Sequence, residues 1–149
     1  MTDYLFAIGH HLIIFALFAV LVAELVKVQK PLDASDIRGL AALDAMYGAM
    51  AVSILILGFC RAIFAAKGWD YYSHNLFFWL KVGTFAVIGL LSAPVTMKVL
   101  NWRKRAKSGD ALVQAAELTS VRRLIAFELM LFPLLLAFAA AMARGFGGF

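Results

Sequence analysis

Four long apolar runs constrain the fold of this 149-residue chain more than any other feature. They cover approximately residues 4–27, 43–66, 76–98 and 123–143. A helix needs about 20 apolar residues to cross the hydrocarbon layer of a bilayer, and each run has that length. The hydrophobic fraction of 64% is above that of soluble domains, which leaves no room for a separate soluble domain. The sequence therefore predicts one domain over residues 1–149, an all-α, antiparallel, integral membrane four-helix bundle.

The basic residues between the runs predict how the bundle is oriented. The first loop has three of them, and the middle loop, AAKGWDYYSHN, has Lys67 alone. The third loop is the richest: Lys98, Arg103, Lys104, Arg105, Lys107, Arg122 and Arg123. Lys and Arg accumulate in cytoplasmic loops, so both termini are expected to face outward, which in a bacterial inner membrane is the periplasmic side. The net charge of +5 predicts basic loops that face anionic lipid, and nucleic acid is not an expected partner.

Two of the helices are expected to begin before they enter the lipid. The second is predicted to have Ser35 or Asp36 as its N-cap, and the fourth to start at Ser108 or Asp110, because these residue types are favoured N-caps. The prolines inside the third and fourth runs are expected to kink their helices without breaking them. Trp102 is assigned to the cytoplasmic interfacial belt.

A first group of ionisable residues is expected at one depth near the periplasmic side. At 1.5 Å per residue, His10, His11 and Lys81 lie about 10 Å below the edge, with Arg61 slightly shallower and His74 at the edge itself. No carboxylate is apparent at this level. The two cations, Arg61 and Lys81, lie beside imidazoles without a carboxylate and would repel each other in a low dielectric, so they either reach the interface or bind an anion.

A second group of polar residues is expected nearer the cytoplasmic side: Glu24, Arg38, Asp44, Tyr47 and Glu128. One interpretation is a structural layer of ion pairs that sets the helix register. In it, Arg38 would pair with Asp44, and Glu24 and Glu128 would pair with Arg122 or Arg123. The other interpretation gives Glu24 and Glu128 a role in handling protons.

The histidines of the first group suggest a haem site. Neutral imidazole is an axial ligand of haem iron, helical bundles hold cofactors between their helices, and Arg61 and Lys81 could bind the propionates. His10 is the expected iron ligand, because its helical angle lies within about 40° of Glu24 and so faces the bundle. His11 is the alternate, and it would point toward a neighbouring helix or the headgroups. His74 lies about 10 Å too shallow for a simple bis-histidine site.

A copper or zinc site built from His10, His11 and His74 is the other metal interpretation, although the nearby cations oppose it. Cys60 is the single cysteine, so the chain has no cluster typical of zinc or iron–sulfur sites.

Several segments together resemble a family of small, predicted bacterial membrane proteins with four spans. They are GHHLIIFALFAVLVAEL, RGLAALDAMYG, GFCRAIFAAKGWDYYSHNLFFWLK and GLLSAPVTMKVLNWR. More distantly, the layout is similar to the HemJ-type protoporphyrinogen oxidases and to CopD-type membrane domains. His10 (or His11), Arg38 and Lys81 match positions of a histidine, an arginine and a lysine of the HemJ type. That resemblance implies haem b or porphyrin at the histidines and Lys81, with porphyrin oxidation as the activity.

The leading functional hypothesis is thus a bacterial inner-membrane protein that binds haem b, or a related tetrapyrrole or quinone. It would act as an oxidoreductase in electron transfer or porphyrin oxidation, and Lys81 would bind a carboxylate or handle a substrate proton. Two alternatives stay open at this point. One is a non-catalytic accessory subunit of a larger membrane complex, or a homo-oligomer. The other is a small transporter in which Lys81 binds an anionic substrate.

Overall fold

The computed structural model describes residues 2–64 and 68–149, and its described part consists mainly of five helices. These are α1 (Thr2–Lys27), α2 (Ala34–Phe64), α3 (Gly68–Ser73), α4 (Leu76–Lys107) and α5 (Ala115–Ala143). Four of them, all except α3, are long and apolar enough to cross a membrane. The prediction of an all-α chain with four membrane-length helices is therefore confirmed. Lys67 and the last residues of the predicted second run lie outside the described residues.

The four long helices pack as a ring. α1 contacts α2 and α5, and α4 contacts the same two helices from the other side. Short connections join successive helices and make neighbours antiparallel. Fully buried side chains such as Leu17, Leu21, Ile88 and Ile125 fill the interior. Large apolar side chains also cover the exterior, for example Leu90, which is 74% exposed, as a lipid-facing surface requires.

The second membrane helix begins earlier than the sequence predicts. α2 starts at Ala34, and the Asp33 carboxylate accepts a hydrogen bond from the backbone N–H of Asp36 at 2.7 Å. Asp33 thus satisfies one of the unpaired N–H groups of the first turn, as an N-cap does. The predicted N-cap, Ser35 or Asp36, is therefore wrong: both residues lie inside α2, and the capping side chain is two or three residues earlier.

The last membrane helix begins later than predicted. Ser108 ends α4, and its hydroxyl donates to the Arg105 carbonyl at 2.9 Å, so it does not begin a new helix. Gly109 follows with φ of 88°, a conformation that favours glycine and stops the helical path. α5 starts at Ala115, where the Glu117 carboxylate accepts from the backbone N–H of Gln114 at 3.4 Å. The predicted start at Ser108 or Asp110 is therefore wrong.

Two further expectations concern the helix interiors. Pro94 and Pro133 lie inside α4 and α5, which both continue through them, so neither proline breaks its helix. The Trp102 side chain, which the sequence assigns to the cytoplasmic interfacial belt, is fully buried between the helices, and its indole N–H has no partner among the described residues.

The short helix α3 is held by an aromatic cluster around Phe78, the third residue of α4. The Phe78 ring is 3% exposed and lies 6.0 Å from the Trp69 ring, 5.8 Å from the Tyr72 ring and 6.2 Å from the Phe59 ring, measured between centroids. Such edge-on aromatic pairs add to the stability that burial provides. The cluster places Tyr72 of α3 over the end of the bundle.

The C-terminal residues close the same end of the bundle through Asn75. The buried Asn75 side chain accepts from the N–H groups of Phe77 and Phe78 at 3.0 and 3.3 Å, which caps α4. Its amide also donates to the Phe146 carbonyl at 3.0 Å. The backbone N–H of Leu76 donates to the Gly147 carbonyl at 2.8 Å. One side chain therefore joins a helix N-terminus to the end of the chain.

We predict that Asn75→Ala lowers the thermal stability of the detergent-purified protein. The variant loses the cap of α4, which alone costs about 1 kcal/mol. It also loses the bond to Phe146, so the C-terminal residues should become accessible to carboxypeptidase. Asn101→Ala is the matched control, because Asn101 is exposed near the other end of the same helix. Equal melting temperatures for the two variants would contradict the prediction.

Candidate functional site

A cavity of about 390 Å³ lies at the end of the bundle where α1 and α4 begin and α2 and α5 end. Side chains of all five helices line it. The polar ones are His10, His11, Arg61, Tyr71, Tyr72 and Lys81, and the others are apolar. No Asp or Glu is among the described residues that line it. We call it the basic cavity, and its volume lies within the range usual for small-molecule and cofactor sites.

His10 reaches the basic cavity from α1 and packs against α2. A Cβ atom at Gly58 would lie 3.4 Å from Cε1 of His10, so the glycine lets the imidazole approach the backbone of α2 closely. The Nδ1 atom of His10 is buried and has no hydrogen-bond partner in the described part of the chain. A buried ring nitrogen without a partner is costly, which is typical of a site that is completed by a ligand or water.

His11 also lines the basic cavity, but in a different state. Its side chain is exposed, and its Nδ1 lies 2.6 Å from the Ala7 carbonyl one turn earlier. When Nδ1 donates to a carbonyl, the other nitrogen, Nε2, carries the lone pair that binds a metal. The His10 and His11 rings are 6.3 Å apart, edge to face. Both histidines therefore face one space, and His11 is not directed away from it as the helical angle predicted.

Arg61 and Lys81 supply the positive charge of the basic cavity. The Nε atom of Arg61 is buried without a partner, and neither side chain forms an ion pair with any described acidic residue. The Lys81 ammonium lies 5.9 Å from the centroid of the Phe78 ring, a weak cation–π contact. Two partly buried cations in one apolar pocket attract an anion strongly, because little water screens them.

His74 does not join the other two histidines. It is outside the set of residues that line the basic cavity. Its Nδ1 lies 2.9 Å from the Asp70 carbonyl and 3.4 Å from the Asp70 carboxylate, and 59% of its side chain is exposed. Its own carbonyl accepts from the backbone N–H of Phe149 at 3.1 Å. The structure thus brings together four of the five residues of the first predicted group.

No described set of three or more His, Cys, Asp or Glu side chains is arranged to hold a metal ion. This limits the zinc or copper interpretation, since a closed site for either metal needs at least three protein ligands. His10 and His11 stay candidates for a metal whose other ligands come from a cofactor.

A second polar site lies toward the other end of the bundle. The side chains of Glu24, Asp44 and Glu128 come from α1, α2 and α5 and are 1%, 5% and 0% exposed; we call them the carboxyl cluster. The buried Tyr47 hydroxyl donates to Oε2 of Glu128 at 3.0 Å. The Thr96 hydroxyl of α4 donates to Oδ1 of Asp44 at 2.8 Å. The sequence does not single out Thr96, because one hydroxyl in a long apolar run carries no pattern.

The ion pairs expected in this layer are absent from residues 2–64 and 68–149: Arg38 with Asp44, and Glu24 and Glu128 with Arg122 or Arg123. Arg38 and Arg123 are exposed. The Arg122 guanidinium donates instead to the carbonyls of Val28 and Gln29, at 2.8 and 3.2 Å, and satisfies the C-terminal end of α1. Long basic side chains extend toward water when a carboxylate is deeply buried, so sequence proximity did not produce pairing.

Taken together, the fold and the two polar sites define a polytopic four-helix membrane protein with a ligand-sized basic cavity and a buried carboxyl cluster. The chain belongs to the family described as Predicted membrane protein (DUF2214), which matches residues 2–147. Searches of curated proteins and of solved structures each returned no significant match. The resemblance to a family of small membrane proteins is thus confirmed, and the more distant similarity to HemJ and CopD proteins stays a prediction.

We predict that Tyr47→Phe destabilises the protein by about 1–3 kcal/mol, the usual cost of leaving a buried acceptor unpaired. The hydroxyl of Tyr47 is the only described donor to Glu128, whose other oxygen is already without a partner. The measurement is thermal or denaturant unfolding in detergent. Tyr4→Phe, at a position that is 70% exposed, is the control and should change nothing. An unchanged Tyr47→Phe variant would show that the bond contributes no stability.

Proposed function

We propose that the protein binds a largely apolar, carboxylate-bearing cofactor in the basic cavity, and that this cofactor is haem b or a related tetrapyrrole. The proposal depends on one observation: the charged side chains that line the cavity are all positive. Two cations and two imidazoles face an apolar pocket that has no described carboxylate to balance them. An anionic ligand with an apolar body offsets the charge and fills the pocket at the same time.

The residues of the basic cavity fit a haem in their donor chemistry. His10 or His11 would supply an imidazole ligand to the iron, since both line the cavity and His11 already has its Nδ1 bonded to a backbone carbonyl. Arg61 and Lys81 would hold the propionates, because guanidinium and ammonium groups bind carboxylates with charge-assisted hydrogen bonds. When bound, the haem supplies one-electron redox chemistry that no side chain of the cavity provides.

In this proposal the protein acts in electron transfer or in porphyrin oxidation. The side chains of the cavity bind and orient the ligand, and the apolar wall, which includes Phe85 and Leu135, keeps water away from it. Lys81 either binds a carboxylate as the ammonium or, as the neutral amine, takes a proton from a bound substrate and becomes the ammonium. Its position at the lining, without an ion-pair partner among the described residues, leaves the side chain available for either role.

We predict that protein expressed with haem supplied and purified in mild detergent shows a Soret absorbance band. The band should be lost in the His10→Ala, His11→Ala double variant, and the two single variants identify the ligating histidine. His74→Ala is the matched control, because it removes a histidine outside the cavity lining. Lys81→Gln should weaken haem binding about tenfold, the effect of losing about 1.4 kcal/mol, while Lys104→Gln on the same helix should not.

A colourless wild-type protein would overturn the haem proposal. If a stoichiometric protein partner then appears in native mass analysis, the chain is an accessory subunit. If a radiolabelled organic anion instead accumulates in proteoliposomes and Lys81→Gln abolishes the uptake, the chain is a transporter. Binding of metal-free porphyrin that persists in the histidine variants would assign the cavity to a porphyrin substrate.

The proposal also includes the location, a bacterial inner membrane with both termini on the periplasmic side. The distribution of basic residues supports it, because the last turns of α4 carry Arg103, Lys104, Arg105 and Lys107, and basic residues next to a membrane span stay in the cytoplasm. It puts the basic cavity in the periplasmic half of the bilayer and the carboxyl cluster in the cytoplasmic half.

We predict the outcome of cysteine labelling in intact spheroplasts, starting from a Cys60→Ser background. A membrane-impermeant maleimide should label Phe149→Cys and should not label Leu112→Cys until the membrane is permeabilised. Both positions are at least 75% exposed, so accessibility alone does not separate them. The reverse labelling pattern would place both termini in the cytoplasm.

A further inference from the structure

The carboxyl cluster is built by the whole bundle. Glu24, Asp44 and Glu128 each come from a different membrane helix, and the Thr96 hydroxyl of the remaining membrane helix, α4, donates to Asp44. Glu24 is within electrostatic reach of both other carboxyl groups. On α1 it lies 14 residues beyond His10, about 20 Å along the helix axis, so the cluster is separate from the basic cavity.

Two oxygens of the cluster have no partner. The Oε1 atoms of Glu24 and Glu128 are buried, and no described group donates a hydrogen bond to either of them. Buried carboxylate oxygens are normally paired, since each unpaired one loses the hydrogen bonds that water would provide. These unpaired acceptor oxygens therefore indicate a hydrogen-bond donor or a positive charge that the described side chains do not supply.

The basic residues of the surrounding helices do not supply a positive charge to the carboxyl cluster. Lys27 of α1 lies 3.5 Å from the Asp36 carboxylate, and the Lys98 ammonium of α4 donates to the Ser120 hydroxyl at 2.7 Å. The three arginines expected at this level are exposed or bonded to backbone carbonyls, as described above. Tyr47, whose hydroxyl donates to Glu128, is a neutral group and adds no positive charge. Three ionised carboxylates without a described counter-cation would repel one another in a low-dielectric interior.

Two kinds of occupant can remove this charge, a proton or a metal cation. A metal cation needs oxygens that converge on one point, and the described residues contain no group of three or more acidic side chains arranged to hold one. A proton binds a single carboxylate oxygen, so it does not require several oxygens to converge on one point. Each one converts a carboxylate into a carboxylic acid, which also gains an O–H donor for a neighbouring orphan oxygen.

We propose that Glu24, Asp44 and Glu128 form a buried proton-binding site, in which the carboxyl groups take up protons from water and release them again as one coupled unit. Uptake converts COO⁻ and H⁺ to COOH, and no other reactant is required. Shared protons also explain why a layer of acidic residues persists inside an apolar bundle without cations. The site is independent of whatever occupies the basic cavity.

The test is infrared spectroscopy of the wild-type protein in lipid nanodiscs, with a pH titration in H₂O and D₂O. Wild type should show the C=O stretch of protonated carboxylic acids at neutral pH, and the band should disappear as the pH is raised. Glu24→Gln and Glu128→Gln should each reduce it. These substitutions keep the shape of a protonated glutamate, so both variants should melt near the wild-type temperature at neutral pH. Glu117→Gln, which removes a carboxylate that pairs with Arg105 at 3.5 Å, is the control and should leave the band unchanged.

Three results would overturn the proposal. The first is a wild-type spectrum with no protonated carboxyl band at neutral pH, which needs no variant to fold. The second is a band that Glu24→Gln, Asp44→Asn and Glu128→Gln all leave intact. The third is a spectral change and a rise in melting temperature caused by sodium chloride but not by choline chloride, which would assign the cluster to a metal cation instead.

Discussion

The high free-energy cost of unpaired polar groups in hydrocarbon is the constraint on which the rest of this structure depends. Lipid offers no hydrogen bonds, so the long helices satisfy their backbone internally and direct their polar side chains inward. The exterior is correspondingly apolar, with residues such as Leu90 and Met130 facing outward. The interior contains Glu24 and Glu128 at almost complete burial, the reverse of a soluble bundle.

The same constraint gives the bundle two polar sites of opposite sign. The basic cavity lies at the end where α1 begins, and the carboxyl cluster lies toward the end where α1 finishes. Opposite charges would neutralise each other in direct contact, but about 20 Å of apolar helix separates them. Each site is therefore left without internal compensation, and each has buried polar atoms without partners, Arg61 Nε in one and Glu128 Oε1 in the other. The buried polar atoms without partners are the basis for proposing an external ligand at each site.

The closed end of the bundle also shows how the fold supports the basic cavity. The aromatic contacts of Phe78 hold α3 over the bundle end, and the Tyr71 hydroxyl donates to the Met142 carbonyl at 3.0 Å. Asn75 ties the last residues of the chain to the start of α4. The cavity wall is thus assembled from segments that are far apart in the sequence, so local sequence patterns do not predict the wall.

The sequence by itself determined the parts of this protein that follow from hydropathy and helical geometry. Run length predicts the four membrane helices, and depth with angle correctly predicts that His10 and Glu24 face inward. The tertiary structure decided which neighbours those side chains meet. It directed Arg122 to the end of α1 rather than to Glu24, buried Trp102, gave Asp44 a partner in Thr96, and brought Tyr72 over the cavity. The reason is physical: helical periodicity specifies the direction of a side chain, whereas pairing depends on the relative positions of helices that are distant in the chain.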